Sequence, residues 1–282
     1  MVFSLGKASA VLRLALVSTN KLSHALGVTL LALLASAATS LPSVAAEVKV
    51  AVAANFTEAA KEIGALFEKA TGDKAVFSFG ATGQFYTQIT QDAPFEVFLS
   101  ADQKTPKKAI TEGFAVKESI FTYATGKIVL FSKTKDFVKG EETLKEGKFA
   151  KIAIANPETA PYGAAGVEVM KTLGVYDALA PKVVQGNNIA QAYQFVDTGN
   201  AELGFVALSQ VINKDEGSRW IVPDKLYTTI AQDAVLLKKG EANPAAKAFL
   251  TFLKGPEAKA VKEKYGYGVG ADVAAKELAP AQ

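Results

Sequence analysis

The 282-residue chain has no cysteine and a single histidine, His24. Without thiols there is no disulfide framework, no thiolate nucleophile and no cysteine-bound metal. His24 lies in a segment whose pattern marks it for removal, so the mature chain also lacks imidazole. Cys–His and Ser–His–Asp catalysis fall away with it, as do histidine metal sites. Acidic residues are missing from the whole stretch before Glu47, which carries only Lys7, Arg13 and Lys21 as fixed charges. From Leu22 to Ala46 there is no fixed charge at all, and residues 26–34 form its apolar heart. Basic start, apolar centre and small residues at Ser43, Ala45 and Ala46 read as a signal peptide over residues 1–46, cleaved near Ala45 or Ala46. An uncleaved membrane anchor is the alternative, but the Ala/Ser/Thr-rich end is poorly apolar for a spanning helix. No cysteine at the cleavage point means no lipid anchor there. A free protein of an exported compartment, the periplasm, is expected. Internal repeats, which an adhesive or structural protein would need, are also missing.

Loss of residues 1–46 takes three basic residues and no acid. The 28 basic residues that remain balance the 28 acidic ones. The pI of about 8.8 therefore describes the precursor. A balanced charge argues against nucleic-acid or membrane-surface binding.

What remains is an apolar chain (49% of all residues) long enough for two modest domains. Short apolar runs alternate with helical patterns. Runs at 48–53, 75–79, 97–100, 127–132, 151–155, 182–184 and 203–207 read as strands. Between them, Ala59, Ile63, Leu66, Phe67 and Ala70 repeat at helical spacing, as do residues around Phe85 and Ile89 and within 163–173 and 189–198. This is an α/β pattern with largely parallel strands, and right-handed crossovers make doubly wound sheets its natural product. Two stretches, 122–127 and 227–233, suit crossings between lobes. Residues 125–230 would then form one lobe, and 47–124 with 231–282 the other. A cleft between two such lobes is a usual place for a small ligand.

Four strand-to-helix corners carry small or neutral polar residues. Asn55 follows the first strand, where it would serve as an N-cap, offer its amide and nearby N–H groups to an anion, or both. Thr82 sits between Gly80 and Gly83, which permit close backbone approach and leave a hydroxyl donor. No lysine follows, so this is not a nucleotide P-loop. Pro157 and Pro161 fix a loop that leaves the N–H of Tyr162 or Gly163 near a helix start, with the Tyr162 phenol beside it. Asn188 reads as an N-cap that frees the N–H of Ile189. Each corner alone is as well explained by ordinary capping. Together they suit an oxyanion held by neutral donors, whose specificity comes from the penalty on leaving buried donors unpaired.

At these residues the chain resembles the periplasmic molybdate-binding proteins of molybdate ABC transporters. The resemblance spans Glu47 to about Tyr267. It rests on the runs 50–57 (VAVAANFT), 95–102 (FEVFLSAD) and 203–209 (LGFVALS), on Asn156-Pro157-Glu158 with Pro161-Tyr162-Gly163, and on Gly255-Pro256-Glu257-Ala258 with Tyr265-Gly266. It implies a two-lobed binding protein with two crossings, holding molybdate or tungstate in its cleft and passing it to a membrane permease. The family's ligand positions fall on Asn55, Thr82, Tyr162 and Ile189. A tyrosine found in part of the family is replaced by Ala207, and Tyr162 is the candidate substitute for that hydroxyl. Asp102 is expected to be structural, because a free carboxylate would repel an anion. The resemblance implies a monomer with no cofactor and no direct protein–metal bond. Sulfate, phosphate or a small carboxylate is the alternative ligand. A secreted hydrolase built on Asp92/Glu96 or Glu141/Glu142 is a reading of a different class, disfavoured because those pairs look like solvated surface.

Overall fold

A computed structural model describes residues 45–269. The signal-peptide reading of residues 1–46 lies almost wholly outside them. The chain enters as β1 (Glu47–Ala53), makes a 3₁₀ turn at Ala54–Phe56, and continues into α1 (Thr57–Thr71). There follow β2 (Lys74–Gly80), α2 (Thr82–Thr90), β3 (Val97–Leu99), α3 (Lys104–Thr111) and β4 (Phe121–Gly126). A second run holds β5 (Ile128–Ser132), α4 (Glu142–Glu146), β6 (Ile152–Ala155), α5 (Pro161–Thr172) and α6 (Tyr176–Leu179). It goes on through β7 (Val183–Gly186), α7 (Ile189–Asp197), β8 (Leu203–Ala207), α8 (Leu208–Val211) and β9 (Ser218–Ile221). The chain returns as β10 (Ile230–Leu236), α9 (Pro244–Lys254) and α10 (Pro256–Lys264).

Two five-stranded sheets result, ordered β2-β1-β3-β10-β4 and β7-β6-β8-β5-β9. In the first, β1 runs parallel to β2 and β3, while β10 is antiparallel to β3 and β4. In the second, β6 is parallel to β7 and β8, while β5 is antiparallel to β8 and β9. Each sheet is thus parallel except for the strand that arrives from the other lobe. The stretches expected only as crossings prove to be mostly strand. β4 fills 121–126 and β10 begins at Ile230, because a crossing segment running between two cores has both faces to bury. β9 was not legible either, since Ser218, Arg219 and Trp220 break the apolar run.

Helices cover both faces of the first sheet. On one, the apolar side of α1 (Ala59, Ile63, Phe67) meets α9, with Phe67 edge-on to Phe249 at 5.4 Å. On the other, Phe85 and Ile89 of α2 pack with Ala109 of α3 against Phe98 and Val235. Central β1 is buried on both faces over its last four residues, whereas edge strand β2 alternates. The site is positioned by register. Ala53 pairs with Gly80 and Ala155 with Gly186, so in each sheet the first two parallel strands end level and their loops start side by side.

Candidate functional site

All four expected residues come together. Asn55, Thr82, Tyr162 and Ile189 line one cleft between the two sheets, and the rest of its lining is Ala, Gly, Pro and Asn188. No charged side chain lines it. Each corner follows the carboxyl end of a parallel strand, where such sheets bind ligands.

Thr82 is 1% exposed, and its Oγ1 accepts the Ala101 N–H at 3.0 Å. No acceptor among the described residues takes the proton of that hydroxyl, so it remains a donor at the cavity wall. Tyr162, 2% exposed, is alike. Its phenolic oxygen receives long bonds of 3.5 Å from Asn55 Nδ2 and Gln232 Nε2, and its own proton has no acceptor among the described residues. Burial pushes the Tyr162 phenol well above the ordinary tyrosine range, which keeps that proton in place. The ring tip reaches so deep only because residue 126 is glycine: a Cβ there would sit 1.8 Å from the Tyr162 oxygen.

Helix α5 resolves the choice between Tyr162 and Gly163. Pro161 has no N–H, and Gly163 and Ala164 both donate to the Ala160 carbonyl, which leaves the Tyr162 N–H as the donor without an intrahelical partner. At α7, Asn188 caps as expected: its side chain accepts from Gln191 N at 3.1 Å. Ile189, the first helical residue, keeps its N–H free of the helix ladder. Asp102 also has a structural place. Its carboxylate accepts from Thr105 N at 2.8 Å and Thr105 Oγ1 at 3.0 Å, and Ser100 Oγ lies 3.2 Å away.

Asn55 departs from both readings of its side chain. It caps nothing, because the interposed 3₁₀ turn places it inside a helical turn whose start has no side-chain cap. Its amide N–H groups go to the interior, to Gln232 Oε1 at 2.7 Å and the Tyr267 hydroxyl at 3.1 Å. Gln232 Oε1 also receives the Tyr123 hydroxyl at 3.2 Å. The Asn55 carbonyl accepts Ser209 Oγ at 2.8 Å and Tyr267 OH at 2.7 Å. Asn55 is therefore the hub of a neutral buried network drawn from both lobes. What its corner turns to the cleft is backbone at the start of a helical turn.

Gln232, Tyr123, Tyr267 and Ser209 escaped sequence reading. One signal existed for Gln232: with Asp233 it interrupts the otherwise apolar run of β10, and both are buried. The tyrosines gave none, since a tyrosine in an apolar context reads as core. A further inter-lobe bond joins Gly83 N–H to the Thr159 carbonyl at 2.8 Å, so the lobe of the second sheet (lobe 2) satisfies an orphan donor of helix α2 in the lobe of the first (lobe 1).

A family model for bacterial extracellular solute-binding proteins matches residues 48–268. The chain is 58% identical over 241 residues to the molybdate-binding protein ModA of Rhodobacter capsulatus, covering 86% of this chain and 95% of the relative. It is 54% identical over 256 residues to the ModA of Azotobacter vinelandii, covering 89% and 98%. The solved periplasmic molybdate-binding protein of Azotobacter vinelandii superposes with a TM-score of 0.77 at 40% identity, covering 79% of this chain and 99% of that one.

Proposed function

We propose that this chain, which belongs to the bacterial extracellular solute-binding proteins and within them to the molybdate-binding proteins, captures molybdate in its cleft and delivers it to the permease of an ABC transporter. One observation carries the reading: Thr82 and Tyr162, from opposite sheets, both line one uncharged cavity, and each has a buried hydroxyl whose proton finds no acceptor among the described residues. A tetrahedral dianion offers acceptors on every side and needs only donors. The Tyr162 and Ile189 N–H groups and the Asn55 corner complete the set, and helix starts favour negative charge. Fixed neutral donors in a site closed to water act strongly without reorganising.

Selectivity follows from size and protonation. Molybdate and tungstate are larger than sulfate, and nearly equal to each other, so tungstate is bound as well. Hydrogen phosphate would need an acceptor for its proton, and the lining carries no carboxylate. The protein acts as a monomeric carrier in the periplasm, with no cofactor and no turnover. Its lobes are residues 47–124 with 231–282, and 125–230, after removal of a signal peptide over 1–46. Isothermal titration with molybdate, tungstate, sulfate and phosphate tests this. Saturable heat at one site is expected for the first two, and no heat with molybdate overturns it.

A further inference from the structure

We propose that Tyr267 is a positioning residue for the oxyanion site, clasping the Asn55 corner to Ser209 of the opposite lobe. The proposal rests on the cavity being that site. After α10 the chain turns at Tyr265 and Gly266 and runs back between the sheets. Gly268 and Thr125 exchange backbone bonds of 2.9 Å in both directions, pinning this strap to β4, the strand that leads out of lobe 1. A Cβ on Gly266 would lie 2.8 Å from Ile212 and 2.9 Å from Leu208, so the strap lies hard against lobe 2.

Tyr267 is 5% exposed, with its ring edge-on to Phe56 at 5.1 Å. Its hydroxyl lies 2.7 Å from the Asn55 carbonyl, 3.0 Å from Ser209 Oγ and 3.1 Å from Asn55 Nδ2. Ser209 Oγ in turn donates to the same carbonyl at 2.8 Å. One carbonyl thus receives a hydroxyl from each lobe, and the two hydroxyls touch. Unlike Thr82 and Tyr162, Tyr267 has its hydrogen-bonding capacity filled within the protein, and it does not line the cavity. Its influence passes through Asn55 and through closure. Ser209 swings away from Asn55 if the lobes part, so the clasp exists only in the closed arrangement and slows ligand escape.

Tyr267→Phe and Ser209→Ala each delete one hydroxyl and keep the remaining packing. Stopped-flow binding of molybdate should show release accelerated about two- to tenfold in each, the range of one or two net hydrogen bonds. Association should stay within about twofold. The double variant should be no worse than the worse single, because both break one clasp, and Ser209→Thr should restore slow release. Small-angle scattering without ligand should show a larger radius of gyration for both deletions. Unchanged release with unchanged scattering overturns the clasp, as does multiplication of the two effects in the double variant. If the wild type binds no molybdate, the functional reading fails. The clasp is then judged by scattering alone: expansion in both variants supports it, and no expansion overturns it. Ser209 is only half-buried. Should Tyr267→Phe not fold, Ser209→Ala decides by the same measurements.

Discussion

The two sheets are built on one plan and equip their halves of the cleft differently. In both, the second strand lies outside the first, the third lies inside it, the arriving strand runs antiparallel, and the departing strand closes the edge. Equivalent corners therefore face each other. In lobe 2, ordinary capping leaves only selected donors. Asn188 caps α7, and Pro161 with the Ala160 carbonyl accounts for every early N–H of α5 except that of Tyr162. In lobe 1, the turns after β1 and β2 have no side-chain caps. There the Thr82 hydroxyl faces the cleft, and Asn55 is fixed from behind by Gln232 and Tyr267. Lobe 1 thus depends on side-chain identity, and lobe 2, Tyr162 apart, on backbone geometry. A backbone donor survives any substitution but proline.

The sharpest way to break the lobe 1 wall is Asn55→Asp. It keeps the shape, removes both amide donors to Gln232 and Tyr267, and sets a carboxylate in the neutral network directly behind the cleft. Like unit charges about 4–8 Å apart repel by about 2–4 kcal/mol at an effective dielectric constant of about 20. Molybdate affinity by calorimetry should fall by at least about a hundredfold at neutral pH. Asn55→Ala, which lacks the repulsion, should lose less.

On the lobe 2 side, Ile189→Pro removes the N–H and nothing else from the backbone. Proline is tolerated at the first helical position, and Asn188 already has the extended conformation a following proline requires. Loss of one charge-assisted bond, about 1.5–3 kcal/mol, predicts an affinity roughly 10- to 150-fold lower. Ile189→Val, which retains the N–H, should bind nearly as the wild type does. Equal losses in both would assign the effect to packing instead of the donor.

Thr82→Ala and Tyr162→Phe compare the two free hydroxyl protons directly. Thr82→Ala also strands the Ala101 N–H, so it should lower the melting temperature as well as affinity, while Thr82→Ser preserves both. Tyr162→Phe should weaken binding about tenfold with little loss of stability, because its two accepted bonds are long.

The smallest expected effect concerns a contrast away from the cleft. Among the described residues, lobe 1 alone has a buried lysine, Lys262, donating to the Tyr123 and Leu253 carbonyls at 3.1 and 3.0 Å. Desolvation lowers its pKa from 10.5 to about 8. The unfolded chain then binds more protons than the folded one between about pH 8 and 10.5, so this residue's contribution to stability rises with pH across that window. Urea titrations should show the wild type gaining on Lys262→Met from pH 8 to 10.5, with a constant difference below pH 8.

Much of the architecture was legible because it is written locally. Alternation along β1, the helical spacing of Ala59, Ile63 and Phe67, and the Asn188 cap each depend on neighbours within a few residues. The resemblance to molybdate-binding proteins placed Asn55, Thr82, Tyr162 and Ile189 in advance, and register then brought them to one cleft. The pairing of Tyr267 and Gln232 with Asn55 was not legible, since they lie 212 and 177 positions away from it.

By itself, then, the sequence determined an α/β chain without thiol chemistry and with no histidine after His24, with neutral helix starts at four strand ends. Those properties follow from composition and short-range periodicity. Only the tertiary structure decided what each polar group does. Asn55 could have capped its own helix; the 3₁₀ turn and the meeting of two lobes sent its amide inward to Gln232 and Tyr267. Thr82 and Tyr162 retain free hydroxyl protons because their neighbours among the described residues supply donors and no acceptor. Hydrogen-bond capacity belongs to the residue, but its use is settled by which groups packing brings within about 3 Å.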